Sequence, residues 1–292
     1  MTTIVGIPAY NEEKNIAKII LQLKKIVDII IVCDDGSSDL TGEIAKEMGA
    51  NVIKHEKNLG YGSAIRSIFD KSKEIGGDIL ITFDADGQHR VEDIAKVTQP
   101  ILNNEADIVI GSRFLDSSEN IPKYRKVGIK AITGLTNITA GTKISDSQSG
   151  FRAYSKDVIE KINLTEIGMG VSTEVLIKAA KQNLRISEVP IRVLYEGDTS
   201  THNPVSHGTS VILSTIKYVA MERPLSFYGI PGMIFLGIGL FFGVWTLQIF
   251  SYERQVITNI ALPSVGGVII GVILLVTATI LHSMVSIIRE KR

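Results

Sequence analysis

The chain has 292 residues, 45% of them hydrophobic, and sets 31 Lys and Arg against 31 Asp and Glu. That even balance gives no global reason for binding nucleic acid, and no nucleic-acid partner is expected. The single cysteine, Cys33, excludes an intramolecular disulfide and a cysteine-built zinc cage. Inside an apolar run it reads as a small core residue.

The amino terminus runs straight from Met1-Thr-Thr into Ile4, with no signal-peptide pattern. Apolar runs at residues 3–7, 29–33, 51–54, 79–83 and 108–110 then predict short strands. Between them, 12–27, 41–48, 64–74 and 91–102 carry apolar residues at helical spacing. In the first, Ile16, Ile19, Ile20 and Leu23 form one stripe, with Lys14, Lys18 and Gln22 opposite. This alternation predicts an open, mostly parallel α/β sheet covered on both faces. Residues 116–150 look less regular. Helical spacing returns at 173–182, followed by an extended stretch at 185–193 interrupted by Pro190. Residues 205–221 read as an amphipathic helix, with His207, Ser210, Ser214 and Lys217 on one side and Ile212, Ile216 and Val219 on the other. It is suited to a bilayer surface.

Residues 227–250 and 261–288 carry no formal charge; His282 is the only group in the second run that titrates near neutrality. At about 1.5 Å per residue, either crosses a hydrocarbon core of about 30 Å. Basic residues flank the pair at Lys217, Arg223, Arg289, Lys291 and Arg292, whereas the link at 251–259 has only Arg254. The positive-inside tendency puts both ends in the cytoplasm. The expected division is a cytoplasmic catalytic domain at 1–204, an interfacial helix at 205–224 and a two-helix membrane hairpin at 225–292. Gly232, Gly237, Gly239 and Gly243 invite helix packing, within the chain or in a homo-oligomer.

Ligands in open α/β sheets bind beyond the carboxyl ends of the strands. There the sequence collects Pro8-Ala-Tyr-Asn-Glu-Glu13, Asp34-Asp-Gly-Ser-Ser-Asp39, Lys57-Asn-Leu-Gly-Tyr-Gly62 and Asp84-Ala-Asp-Gly-Gln88. On an extended strand Asp84 and Asp86 face one side. They can share a hard cation, with Gln88 adding a neutral oxygen; the alternative is a solvated turn. An EF-hand reading fails because its sixth and twelfth positions fall on His89 and Ala95. A haloacid-dehalogenase reading lacks a later pair of adjacent aspartates.

The segments "IPAYNEE", "DDGSSD", "NLGYGSAIR", "DADGQH", "GSRF" and "DSQSGFRAY" occur in that order. Together they resemble a family 2 glycosyltransferase of the GT-A type, nearest to the dolichyl-phosphate mannose and polyprenyl-phosphate glucose synthases. The resemblance covers about the first 220 residues. It implies a nucleotide-sugar pocket lined by Pro8, Ala9, Tyr10, Glu12, Gly62, Asp84, Ala85 and Asp86, with Asp34 or Asp35 on the base. Asp84, Asp86 and Gln88 would hold Mg2+ or Mn2+. Arg113, Arg125 and Arg152 match positions of phosphate-holding basic residues, and Asp146 either orients Arg152 or touches the sugar. Arg113 could instead pair with Asp107 or Asp116, and Tyr10 could simply pack. The loop at 196–203 departs from the family's basic pattern, leaving His202 as its nearest cation.

The implied partners are a nucleotide sugar (GDP-mannose or UDP-glucose), dolichyl or polyprenyl phosphate, and the lipid bilayer. The implied reaction is inverting transfer of a hexose to the lipid phosphate. Alternatives are another lipid or polysaccharide acceptor, or a non-catalytic nucleotide-binding scaffold.

Overall fold

The computed structural model describes residues 1–115, 123–193, 216, 220, 221 and 223–290. They fall into two compact units, Met1–Thr215 and Ile216–Arg292. In the first, chain order is β1 (Thr3–Ala9), α1 (Glu13–Leu23), β2 (Ile29–Asp34), α2 (Thr41–Glu47), β3 (Asn51–Lys54), α3 (Tyr61–Ile75) and β4 (Ile79–Thr82). A 3-10 turn (Val91–Asp93) leads into α4 (Ile94–Leu102) and β5 (Ile108–Ser112). Then come α5 (Lys123–Ala140), β6 (Arg152–Ser155), α6 (Lys156–Lys161), α7 (Val171–Lys181) and β7 (Ile186–Pro190). The seven strands form one sheet in the order β3-β2-β1-β4-β6-β5-β7. All neighbours are parallel except β6, which runs antiparallel to both β4 and β5.

Strand alternation divides the core between the two faces of the sheet. Val5, Ile7, Val32 and Ile81 pack with the α1 stripe Ile16, Ile19, Ile20 and Leu23 on one face. Ile4, Ile31, Cys33 and Leu80 pack with Ile65, Ile68 and Phe69 of α3 and with Val175 of α7 on the other. Burial, followed by the charges of Asp35 and Asp34, pushes the Cys33 thiol up to about 12, so it is a core residue and not a nucleophile.

Two expectations need correction. The stretch 116–150 is not irregular throughout, because it contains the 18-residue helix α5. Its buried face mixes Thr133, Thr136 and Thr139 with Ile129 and Ile132. The hydroxyls of Thr136 and Thr139 donate back to the Ile132 and Leu135 carbonyls at 2.9 and 2.8 Å, a local bond that makes threonine tolerable in a helix core. Strand β4 also stops at Thr82, so Asp84 and Asp86 lie in the following turn rather than on the strand. Most of the proposed interfacial helix at 205–221 lies outside the described residues.

The second unit has a π-helical turn (Leu225–Gly229), α8 (Ile230–Glu253) and α9 (Thr258–Glu290). Both helices are long and apolar enough to cross a membrane. Phe241, Leu247 and Leu262 are 64%, 68% and 65% exposed, an apolar surface that water does not favour. The helices meet along small residues: a Cβ added at Gly239 would lie 2.5 Å from the Val268 amide nitrogen, and the Ser264 hydroxyl donates to the Gly239 carbonyl at 2.9 Å. Gly232 and Gly239 therefore have a packing partner within the chain.

Candidate active site

The loops following β1 and β2 brace each other. The Asn11 amide donates to the Ser37 hydroxyl at 2.9 Å, and the Ser38 amide donates back to Asn11 Oδ1 at 2.9 Å. The Glu12 amide reaches the Thr41 hydroxyl at 2.8 Å, and the Leu40 amide reaches Glu13 at 3.2 Å. Asn11 has φ 57°, a left-handed conformation that asparagine tolerates. Pro8, Tyr10 and Glu12 are half-buried along this rim, and Ala9 is buried.

Asp34 and Asp35 differ in their commitments. Both Asp35 oxygens accept from the chain: Leu59 N at 2.9 Å, Gly60 N at 2.8 Å and His55 Nδ1 at 2.6 Å. His55 is braced on its other side by the Ser67 hydroxyl at 2.9 Å. Asp34 Oδ1 accepts the Ser37 amide at 2.9 Å, while its buried Oδ2 has no hydrogen-bond partner.

Glu12, Asp84 and Asp86 converge beyond β1 and β4. Burial raises the Glu12 carboxyl, the Asn15 side chain opposes this, and the charges of Asp86, Asp39 and Asp84 raise it further. Asp84 is anchored at both oxygens: Tyr61 donates to Oδ1 at 3.3 Å, and His89 Nε2 lies 3.0 Å from Oδ2. Burial pushes the Asp84 carboxyl up, but His89, Tyr61 and the Arg113 charge together hold it below its ordinary range. Burial, then the Asp84 charge, lifts the Tyr61 phenol well above its ordinary value, keeping it a hydrogen-bond donor. Asp86 Oδ1 accepts the Gln88 amide at 3.0 Å. This cluster of hard oxygens under mutual repulsion fits a divalent cation, for which Asp84, Asp86 and Gln88 offer donors. Among the described residues no group of three or more acidic, imidazole or thiol side chains is placed to hold a metal ion, so the fit rests on the Asp84 and Asp86 pair.

Gly150 makes room for this arrangement. A Cβ there would lie 2.6 and 2.9 Å from the Asp84 oxygens and 2.8 Å from the Tyr61 hydroxyl. Gly150→Ala is therefore expected to displace the Asp84 carboxylate and lower turnover by about 10–100-fold, as when a metal ligand loses its orienting shell. Turnover equal to the parent's, in a variant with the parent's circular dichroism, would contradict this.

Arg113 and Asp146 form a two-pronged ion pair, with Nε to Oδ2 at 2.7 Å and Nη2 to Oδ1 at 2.8 Å. Asp146 was expected to orient Arg152 or to touch the sugar; within the chain its carboxylate orients Arg113 and not Arg152. Asp107 pairs instead with Arg185, at 2.9 Å. Glu188, on β7, fixes the loop that carries Asp146 by accepting the amides of Ser145 and Asp146 at 2.7 and 2.9 Å. Arg152 also needs correction as a phosphate holder. It is buried and donates to the carbonyls of Ser149, Ser172 and Ser147 at 2.9, 2.9 and 2.7 Å, which commits its guanidinium to holding the 147–149 loop to the first turn of α7. Gly62 likewise has a packing duty, since a Cβ there would collide with the backbone of residues 166–168. The Arg125 side chain, Asp116 and His202 lie outside the described residues. His55, Tyr61, His89 and Glu188 also take part, none of them among the residues expected at the site. His89 could have been singled out from its place inside "DADGQH"; Glu188 carries no local signal.

A mostly parallel sheet with paired acids just past its central strand β4 defines a GT-A-type fold. Residues 4–163 match the model of glycosyl transferase family 2, and the chain belongs to that family. It is 39% identical over 229 residues to the UDP-N-acetylglucosamine–dolichyl-phosphate N-acetylglucosaminyltransferase of Methanococcus voltae, covering 71% of this chain and 89% of that one. It is 32% identical over 216 residues to the dolichyl-phosphate hexose transferase of Haloferax volcanii, covering 73% and 92%. Among solved structures it resembles glucosyl-3-phosphoglycerate synthase from Mycobacterium tuberculosis in complex with Mn2+, UDP and glucosyl-3-phosphoglycerate. That match has TM-score 0.58 and 22% identity, covering 75% of this chain and 80% of that one.

Proposed function

We propose that this glycosyltransferase moves a sugar from a nucleoside-diphosphate donor to the phosphate of a polyprenyl lipid at a membrane surface. The observation that carries the reading is the convergence of Glu12, Asp84 and Asp86 at the rim, with Arg113 held by a buried carboxylate close enough for its charge to act on Asp84. The two relatives named for dolichyl-phosphate acceptors support the lipid. The apolar hairpin supplies an anchor for an enzyme whose acceptor tail stays in the bilayer, with the catalytic unit on the cytoplasmic side.

In the proposed reaction a lipid-phosphate oxygen attacks the anomeric carbon as its bond to the diphosphate breaks. The nucleoside diphosphate leaves from the opposite face and the configuration inverts. The attacking oxygen is already ionised near neutral pH, so no general base is required. The chain's task is to bring two anionic groups together and hold them in line. Arg113 is the cation for the phosphates, with Asp146 fixing its plane; Arg125 is a second candidate by its place in the sequence. Pro8, Ala9, Tyr10, Glu12 and Ala85 border the nucleotide, and Asp34 or Asp35, at the end of β2, takes the base. What Mg2+ or Mn2+ supplies when bound by Asp84, Asp86 and Gln88 is neutralisation of charge on the departing diphosphate.

The test is a panel of labelled nucleotide sugars presented with dolichyl phosphate to membranes containing the protein. The panel must include UDP-N-acetylglucosamine beside GDP-mannose and UDP-glucose, given the name of the 39% identical relative. One donor should yield a lipid-linked sugar of inverted configuration. Retention, or labelling of a lipid lacking phosphate, would refute the reading.

A further inference from the structure

We propose that His89 is a positioning residue, which fixes the Asp84 carboxylate for its cation by donating a hydrogen bond from Nε2. The inference rests on the reading of Asp84 as a cation ligand and adds the residue that sets its geometry. An ionised carboxylate only accepts hydrogen bonds, so at 3.0 Å from Asp84 Oδ2 it is Nε2 that carries the proton. The ring has little freedom to turn. It is tilted against Phe151 with centroids 5.1 Å apart and meets Phe83 edge-on at 5.6 Å. The His89 backbone forms an isolated antiparallel bridge to Val193.

Two further observations separate positioning from other roles. His89 Nδ1 is buried with no hydrogen-bond partner, so the ring sits here despite an unsatisfied polar atom; the contact at Nε2 is what the placement secures. With Nε2 on the carboxylate and Nδ1 enclosed, neither nitrogen is left open to take a cation, so His89 would act through Asp84 and not as a ligand. The Tyr61 hydroxyl holds the other Asp84 oxygen, and Gly150 leaves the carboxylate its space. Carboxylate oxygens keep lone pairs beyond one hydrogen bond each, so an anchored Asp84 still has capacity for a metal.

The experiment titrates the full-length protein in detergent micelles with Mn2+ alone, following the electron paramagnetic resonance signal of the free ion. His89→Phe keeps the aromatic packing and removes the donor. His89→Gln puts an amide N–H near the Nε2 position, whereas His89→Asn puts it near Nδ1. The Phe and Asn variants should bind Mn2+ about 10–100-fold more weakly, the range for losing a group that orients a metal ligand. The Gln variant should stay close to the parent, and saturating Mn2+ should restore turnover in the Phe variant. Asp84→Asn marks the site itself. If it loses Mn2+ binding while His89→Phe and His89→Asn bind as the parent does, His89 has no positioning role and the cation reading stands. If Asp84→Asn binds like the parent, both fall. Should His89→Phe fail to fold, equal affinities in the Gln and Asn variants overturn the proposal.

Discussion

Asp84→Asn is expected to reduce sugar transfer by roughly 10³-fold while leaving the protein folded. The size follows from transition-state arithmetic: several kcal/mol of charge stabilisation on the leaving diphosphate corresponds to about three powers of ten. Folding is expected to tolerate the change because two effects oppose. Asparagine cannot accept from both His89 and Tyr61 as the carboxylate does, which weakens the turn. Removing one negative charge relieves Glu12, whose carboxyl Asp84 helps to raise. Initial rates with saturating donor, together with thermal unfolding, check both halves. Transfer within tenfold of the parent would remove Asp84 from the chemistry, and a collapse in unfolding temperature would make its role structural.

The second large effect falls on the Arg113–Asp146 pair. Asp146 is fully enclosed and Arg113 is 14% exposed, so replacing Asp146 with Asn leaves a guanidinium without its counter-charge in a dry place. Breaking such a pair from one side costs about 3–5 kcal/mol, which in a unit of this size lowers the unfolding temperature by on the order of 10 °C. The same pair controls acid stability. Burial pushes the Asp146 carboxyl up, but the Arg113 charge and hydrogen bonds, with the Gln148 amide, hold it below the ordinary range. A carboxyl depressed by folding adds stability above its unfolded value, near pH 3.9. That contribution is lost as pH falls from there through the lower folded value. Unfolding temperature measured from pH 6 down to pH 3 should therefore fall more steeply below pH 4 in the parent than in Asp146→Asn. Parallel curves would show that the pair carries no net stability.

Much of the sheet was legible because its inner strands are apolar runs bounded by helices with clear stripes. Residues 29–33 and 79–83 leave no other reading, and both faces of that sheet are covered as such runs require. Strand β6 was not legible: it is four residues long and begins with Arg152, a charged residue whose burial depends on the carbonyls of Ser147 and Ser149 just before it and of Ser172 twenty residues on. Helix α5 hides because Thr133, Thr136 and Thr139 interrupt the stripe that Ile129 and Ile132 begin. At the site, the acids announced themselves by position, but their partners did not. Asp146 lies 33 residues from Arg113, and no local pattern links them. Glu188 acts on that loop from 42 and 43 residues away. Such long-range pairings belong to the fold, and only local spacing can be read in advance.

The interlocked loops after β1 and β2 bear on how the donor is captured. Because Asn11, Glu12, Ser37 and Thr41 already tie the two segments together, a donor bound as proposed on this side would meet backbone that is preorganised. Little ordering entropy is left to oppose its association. If the donor binds here as proposed, these tethers supply rigid complementarity to its base, and cutting one, as in Asn11→Gly, is expected to loosen selectivity before it weakens catalysis.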